Sequence, residues 1–234
     1  MARTETLEFV NHETGERFAP SLRNSSYLVL RKRRQNFERW LSAVPGSNLC
    51  VLDVGGRIQP YRRLLAGRVQ KYIAVDLVQS PLVNLQANAG EMPFPEGLFD
   101  LVFCTQVLEY VLEPAVPVRE IYRVLKPGGV ALFSFAAFYP RIADDDYWRF
   151  TSAGLRHLLR PFGRVEVVPE GSSISGFFRA CAVCLSMFAR YPALRSLVEW
   201  TVVPVLNLSA LALEKVARTD NDQATGNYSV WAQK

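Results

Sequence analysis

The chain has 234 residues, 49% of them hydrophobic and 21% charged, which excludes a disordered or low-complexity protein and suffices for one large α/β domain with a buried core. Its formal net charge of +5 sits in short runs such as Arg31–Arg34 with no exposed aromatics interleaved, so no nucleic-acid partner is expected. Four cysteines without a disulfide-framework spacing point to a reducing, cytoplasmic setting, and the only histidines, His12 and His157, exclude multi-histidine metal chemistry.

The opening MARTETLEFV is acidic and polar and does not read as a signal peptide. From Ser25 to Val44, Leu30, Phe37, Trp40, Leu41 and Val44 recur at helical spacing, with Arg31 to Arg34 between them. This predicts an amphipathic helix whose basic run forms the solvated face, and residues 1–45 read as an N-terminal helical extension. Pro45, Gly46 and Ser47 end it. Residues 46–234 read as the main domain, where "LCVLDV", "KYIAVDL", "FDLVFCTQVL" and "VALFSF" read as strands, and "PYRRLLA" and "AVPVREIYRVL" as the helices between them. The strands are continuously apolar, as a parallel sheet with helices on both faces requires. "TSAGLRHLLRPF" reads as a helix capped by Thr151 or Ser152, with His157 on its surface. "RVEVVPE" is a further strand, and "NYSVWAQK" a last one returning to the sheet. The expected fold is a Rossmann-like, doubly wound, seven-stranded sheet, mostly parallel with an antiparallel last strand. An apolar helical insertion over about 175–218 precedes that strand.

Within the insertion Cys181 and Cys184 form a CxxC with no second ligand pair to complete a zinc site, so no metal is expected. "LVEWTVVPVLNLSALAL" carries Glu199, Pro204 and Asn207, and falls short of an uninterrupted apolar span.

In such a sheet, ligands bind outside the carboxyl ends of the strands. Asp53, Gly55 and Gly56 stand at the end of the first strand and Asp76 at the end of the second. Their separation is close to the roughly 20 residues expected between a glycine loop and a ribose-binding acid. A G-x-G-x-x-G loop from Gly55 would need glycine at Arg57 and Pro60; the fingerprint fails at both, which disfavours a nicotinamide or flavin dinucleotide. A cofactor without phosphates makes weaker demands.

The stretches "VLDVGG", "AVD", "EMPFPEGLFDLV", "VLEY" and "VLKPGG", in this order between Val51 and Gly129, resemble those of class I S-adenosylmethionine-dependent methyltransferases of the type 11-like group. The resemblance implies S-adenosyl-L-methionine as cofactor, with Asp53, Gly55 and Gly56 along its methionine part and Asp76 on the ribose hydroxyls. It places Asn88 on the adenine amino group, where relatives usually carry aspartate, with the Ala89 N–H and Met92 near the ring and Gln106 bordering the methionine. The chain departs from the pattern at Arg57, Ile58 and Gln59, where a later glycine is usual, and at Tyr110, where many relatives have histidine. The "DYWRFT" segment resembles that of members acting on glycans or in specialised pathways.

Methyl transfer needs alignment of donor and acceptor, and a base only if the acceptor loses a proton. Tyr139, Asp146 and Tyr147, in the loop "AAFYPRIADDDYWRFTSAGL", are the candidate catalytic residues. The expected activity is O-methylation of a small molecule or glycan. A binding module that kept the fold without turnover, or a dinucleotide oxidoreductase, stands as the alternative. The insertion reads as a lid, as helix packing or a homodimer contact, or as a peripheral membrane surface for a lipid-linked acceptor; these remain open.

Overall fold

The computed structural model describes residues 7–189, 191–217 and 221–234; Arg218, the end of the expected insertion, lies outside the described residues. Seven strands form one sheet: β1 (Leu49–Val54), β2 (Val69–Asp76), β3 (Leu85–Gln86), β4 (Phe99–Thr105), β5 (Leu125–Ala136), β6 (Arg164–Pro169) and β7 (Asn227–Gln233). Their order is β3-β2-β1-β4-β5-β7-β6. The first five run parallel, and β7 is antiparallel to both β5 and β6. This is the expected mixed, doubly wound sheet.

The central strands are buried on both faces because alternate side chains enter two cores. On one face Leu52, Val102, Cys104 and Phe133 meet Val118 and Ile121 of α3 (Ala115–Val124), Leu155 of α4 (Ser152–Leu158) and Leu159 just after it. Thr151 caps α4, its side chain accepting from the Gly154 N–H. On the other face Val51, Leu101, Phe103 and Leu132 meet Phe37, Trp40 and Leu41 of α2 (Tyr27–Ala43). Phe37 is fully buried, with its ring 4.8 Å from Tyr61 and 6.0 Å from Phe103.

Three expectations change. The "PYRRLLA" segment forms only a 3-10 turn, Arg62–Leu65, since α2 already covers that face and the residues between Pro60 and Gly67 are too few for a longer helix. A further helix, α1 (Leu7–Phe18), precedes α2. The basic run of α2 is not wholly solvated. Arg33, on the same stripe as Leu30 and Phe37, is 3% exposed and forms a two-pronged ion pair with Glu170 at 2.8 and 2.9 Å. Arg31 and Lys32 are exposed.

The insertion comprises α5 (Ser173–Phe188), α6 (Pro192–Leu197), a π-helical turn over Val198–Val202, and α7 (Val203–Ala217). Cys181 and Cys184 are half-buried and free. Among the described residues the continuous helix Pro192–Ala217 is long and apolar enough to cross a membrane, with a mean hydropathy of 1.5. Its Asn207 is buried and donates to the carbonyls of Leu22 and Asn24, which ties it to the segment between α1 and α2.

Candidate functional site

The carboxyl ends of β1, β2 and β4 open into a cleft of about 1060 Å³. Its far walls come from α1, α5, the π-helical turn and the loop after β5. Gly55, Asp76, Asn88, Ala89 and Gln106 from the sequence reading all line it, as do Tyr139 and Asp146. Asp53, Gly56, Met92 and Tyr147 do not.

Each exclusion has a local cause. Asp53 alternates with Leu52 and Val54 along β1, so its side chain turns to the opposite sheet face, where the Tyr72 hydroxyl donates to it at 2.6 Å. Burial pushes its carboxyl up to about 7, against the pull of that hydrogen bond. Gly56 packs behind the loop: a Cβ there would lie 2.7 Å from the Asp53 carbonyl oxygen and 2.9 Å from the Ala74 Cβ. Met92 belongs to the core, 3% exposed, with its N–H donated to Glu120 Oε1. Tyr147 is half exposed to solvent, and only its backbone N–H is anchored, on the Glu109 carbonyl.

The loop after β1 is tightly closed. Gly55 adopts φ +74, and a Cβ there would come within 2.3 Å of Val107 Cγ2, so only glycine fits. The N–H groups of Gly55 and Gly56 both donate to the Val75 carbonyl, at 2.8 and 3.1 Å. Beyond them Gln59 takes the positive φ of +54 and donates to the Leu82 carbonyl, and Thr14 of α1 donates to the Ile58 carbonyl. The N–H groups of the two glycines, which a pyrophosphate-binding loop would offer to its ligand, are thus spent on β2. Asp76 accepts from the Val78 N–H at 2.9 Å, beside the exposed Leu77. Asn88 accepts from the Gly90 N–H through Oδ1 at 2.9 Å, which fixes which amide atom is the oxygen and leaves that oxygen a second lone pair.

Gln106, with φ +55, donates to Ser134 Oγ and Glu109 Oε1 at 3.0 and 3.1 Å. Glu109 was not among the residues singled out in the sequence, where it appears only as part of "VLEY". It is 2% exposed and lines the cleft. Its Oε1 also accepts from the Ala136 N–H at 2.6 Å; its buried Oε2 has no hydrogen-bond partner. Burial pushes this carboxyl up to about 7. Asp146 is the opposite case. Both of its oxygens accept from Arg149, and that pairing holds its carboxyl below the ordinary range. Burial likewise lifts the Tyr110 hydroxyl, at the cleft edge, to about 12.

Residues 52–133 match the family model described as "Methyltransferase domain". The chain is 35% identical over 127 residues to the ubiquinone biosynthesis O-methyltransferase of Pseudomonas aeruginosa, covering 54% of this chain and 47% of that one. It is 32% identical over 118 residues to the ubiquinone/menaquinone biosynthesis C-methyltransferase UbiE of Photorhabdus laumondii, covering 49% and 43%. The chain thus spans about half the length of the curated relatives it matches. Among solved structures, a SAM dependent methyltransferase from Archaeoglobus fulgidus superposes with a TM-score of 0.56 at 16% identity, over 95% of this chain and 99% of that one. The [4+2]-cyclase SpnF does so at 0.51 and 23% identity, over 86% and 82%. With the motif order, the sheet and the match over residues 52–133 in agreement, the chain has the fold of S-adenosylmethionine-dependent methyltransferases and a segment similar to their common domain.

Proposed function

We propose that the chain is a methyltransferase acting on a small molecule or glycan, with transfer to oxygen. The observation that carries this reading is the meeting, in one cleft, of Gly55, Asp76, Asn88, Ala89 and Gln106 with the buried carboxyl of Glu109. The closed loop after β1 suits S-adenosylmethionine, which has no pyrophosphate to seat, and disfavours a dinucleotide. Asp76 would take the ribose hydroxyls, and Asn88 Oδ1 with the Ala89 N–H the adenine edge. When bound, the cofactor supplies an electrophilic methyl group.

The protein's own part is to align, to exclude water and to manage one proton. Glu109 is the group suited to the last task. Its carboxyl sits near neutrality, where a general base is most effective, and its Oε2 is not engaged. Asp146, held ionised by Arg149, positions the loop instead.

Calorimetry with S-adenosylhomocysteine and NAD tests the cofactor. Heat is expected with the first alone, weakened about ten- to a hundredfold in Asp76→Ala by loss of a charged hydrogen-bond acceptor. Heat with NAD and none with S-adenosylhomocysteine would sink the reading. The similarity to a cyclase motivates a second one, a cofactor-binding module that transfers no methyl group. Intact binding with no labelled methyl passed to any member of an acceptor library would favour it.

A further inference from the structure

Seven arginines line the cleft, among them Arg33, Arg149 and Arg179. The first two are matched to carboxylates, Arg33 to Glu170 and Arg149 to Asp146. Arg179, from the middle of α5, is not. It is 4% exposed and makes no ion pair among the described residues. Its Nη1 donates to Asn227 Oδ1 at 2.9 Å and to the Gly226 carbonyl at 3.3 Å, both neutral acceptors. Its Nε is buried without a partner. The guanidinium carbon lies 4.4 Å from the centre of the Tyr139 ring, so its plane is held by an aromatic face.

The position is built to hold this group. A Cβ at Gly226 would come within 2.9 Å of Arg179 Nη1, so glycine makes the room. Asn227 in turn donates to Gln106 Oε1 at 3.4 Å, and Gln106 reaches Glu109. A buried cation with no carboxylate paired to it is costly, and here burial drags the guanidinium down from 12.5 to about 10. Such a group is stabilised by an anion, and its planar fork favours a carboxylate or a phosphoryl group.

We propose that Arg179, stacked on Tyr139, binds an anionic group of the methyl acceptor, so that the chain selects an acidic substrate carrying a carboxylate or phosphate. The proposal rests on the methyltransferase reading. It assigns Tyr139 a positioning role and leaves the proton to Glu109 at the other end of the Asn227–Gln106 link.

The test is calorimetry of benzoate and of inorganic phosphate with the protein saturated in S-adenosylhomocysteine, using wild type, Arg179→Met and Arg179→Lys, with folding checked by circular dichroism. One of the two anions is expected to bind wild type, which tells carboxylate from phosphate, and to weaken at least tenfold in Arg179→Met while S-adenosylhomocysteine binds within twofold of wild type. Arg179→Lys keeps the charge without the planar fork, and should lose several-fold; it serves alone if the methionine variant does not fold. Anion binding unchanged in either variant, or no anion binding to wild type, overturns the proposal. So does an equal loss of S-adenosylhomocysteine affinity, because Arg179 would then hold the cofactor's own carboxylate. Failure of S-adenosylhomocysteine to bind wild type at all counts against the methyltransferase reading instead, and the two anions then still report on Arg179.

Discussion

A carboxyl raised to about 7 is a statement about stability as well as chemistry. Glu109 in the unfolded chain ionises above pH 4.5 and in the folded chain only above about 7, so the unfolded state gives up its proton first. Stability is therefore lost as pH rises through that window, by an upper figure of about 3 kcal/mol for this group. Glu109→Gln keeps an acceptor for the Ala136 N–H and removes the titration. Denaturant midpoints should place the variant increasingly ahead of wild type between pH 4.5 and 7, relative to their difference at pH 4, with a constant gap above that. A gap independent of pH would show that Glu109 titrates normally. The sequence hides this residue for a physical reason. A glutamate after an apolar strand is an ordinary loop residue until Ala136, Gln106 and the returning Tyr147–Trp148 backbone close around it. Arg33 was missed as well, read as part of a solvated basic run although it shares the apolar stripe of its helix, because its partner Glu170 is 137 positions away and no local pattern announces it.

At the scale of elements, four of the five parallel strands could be read because each is a largely apolar run bounded by glycine, proline or aspartate; the two-residue β3 is too short to announce itself, and the strand order was not read. The cover was read in part: the apolar stripe of α2 was expected against a core, and α1 was not expected at all. α1 has few apolar residues, and among them only Val10 is fully buried; its place is set by contacts such as that of Thr14 with the loop after β1. α2, read as part of an extension, supplies Phe37, Trp40 and Leu41 to the core over β1 and β4. Phe37→Ala should cost about 3–5 kcal/mol in equilibrium unfolding, a loss to be expected of a core position and not of an appendage. A change below about 1 kcal/mol would mean that the helix can detach while the sheet stays folded.

Across the whole molecule, the insertion leaves an apolar surface that water does not favour: Phe188, Val205 and Val216 are more than 60% exposed, beyond the scattered single residues of an ordinary surface. α2 packs against α5 of the insertion, and its Arg31 and Lys32 are exposed, in a chain of net charge +5. The combination predicts binding to vesicles containing anionic lipid, weakened by salt and by Phe188→Glu, and read by co-sedimentation. Self-association in solution without vesicle binding would assign the face to a second copy instead. The sheet topology also bears on biosynthesis. In the sheet β6 hydrogen-bonds only to β7, which follows the entire insertion in the chain. On a ribosome adding roughly 5–20 residues per second, β6 and the apolar helices therefore wait several seconds for the strand that closes the sheet, and the nascent chain is most exposed to chaperones and to aggregation in that interval.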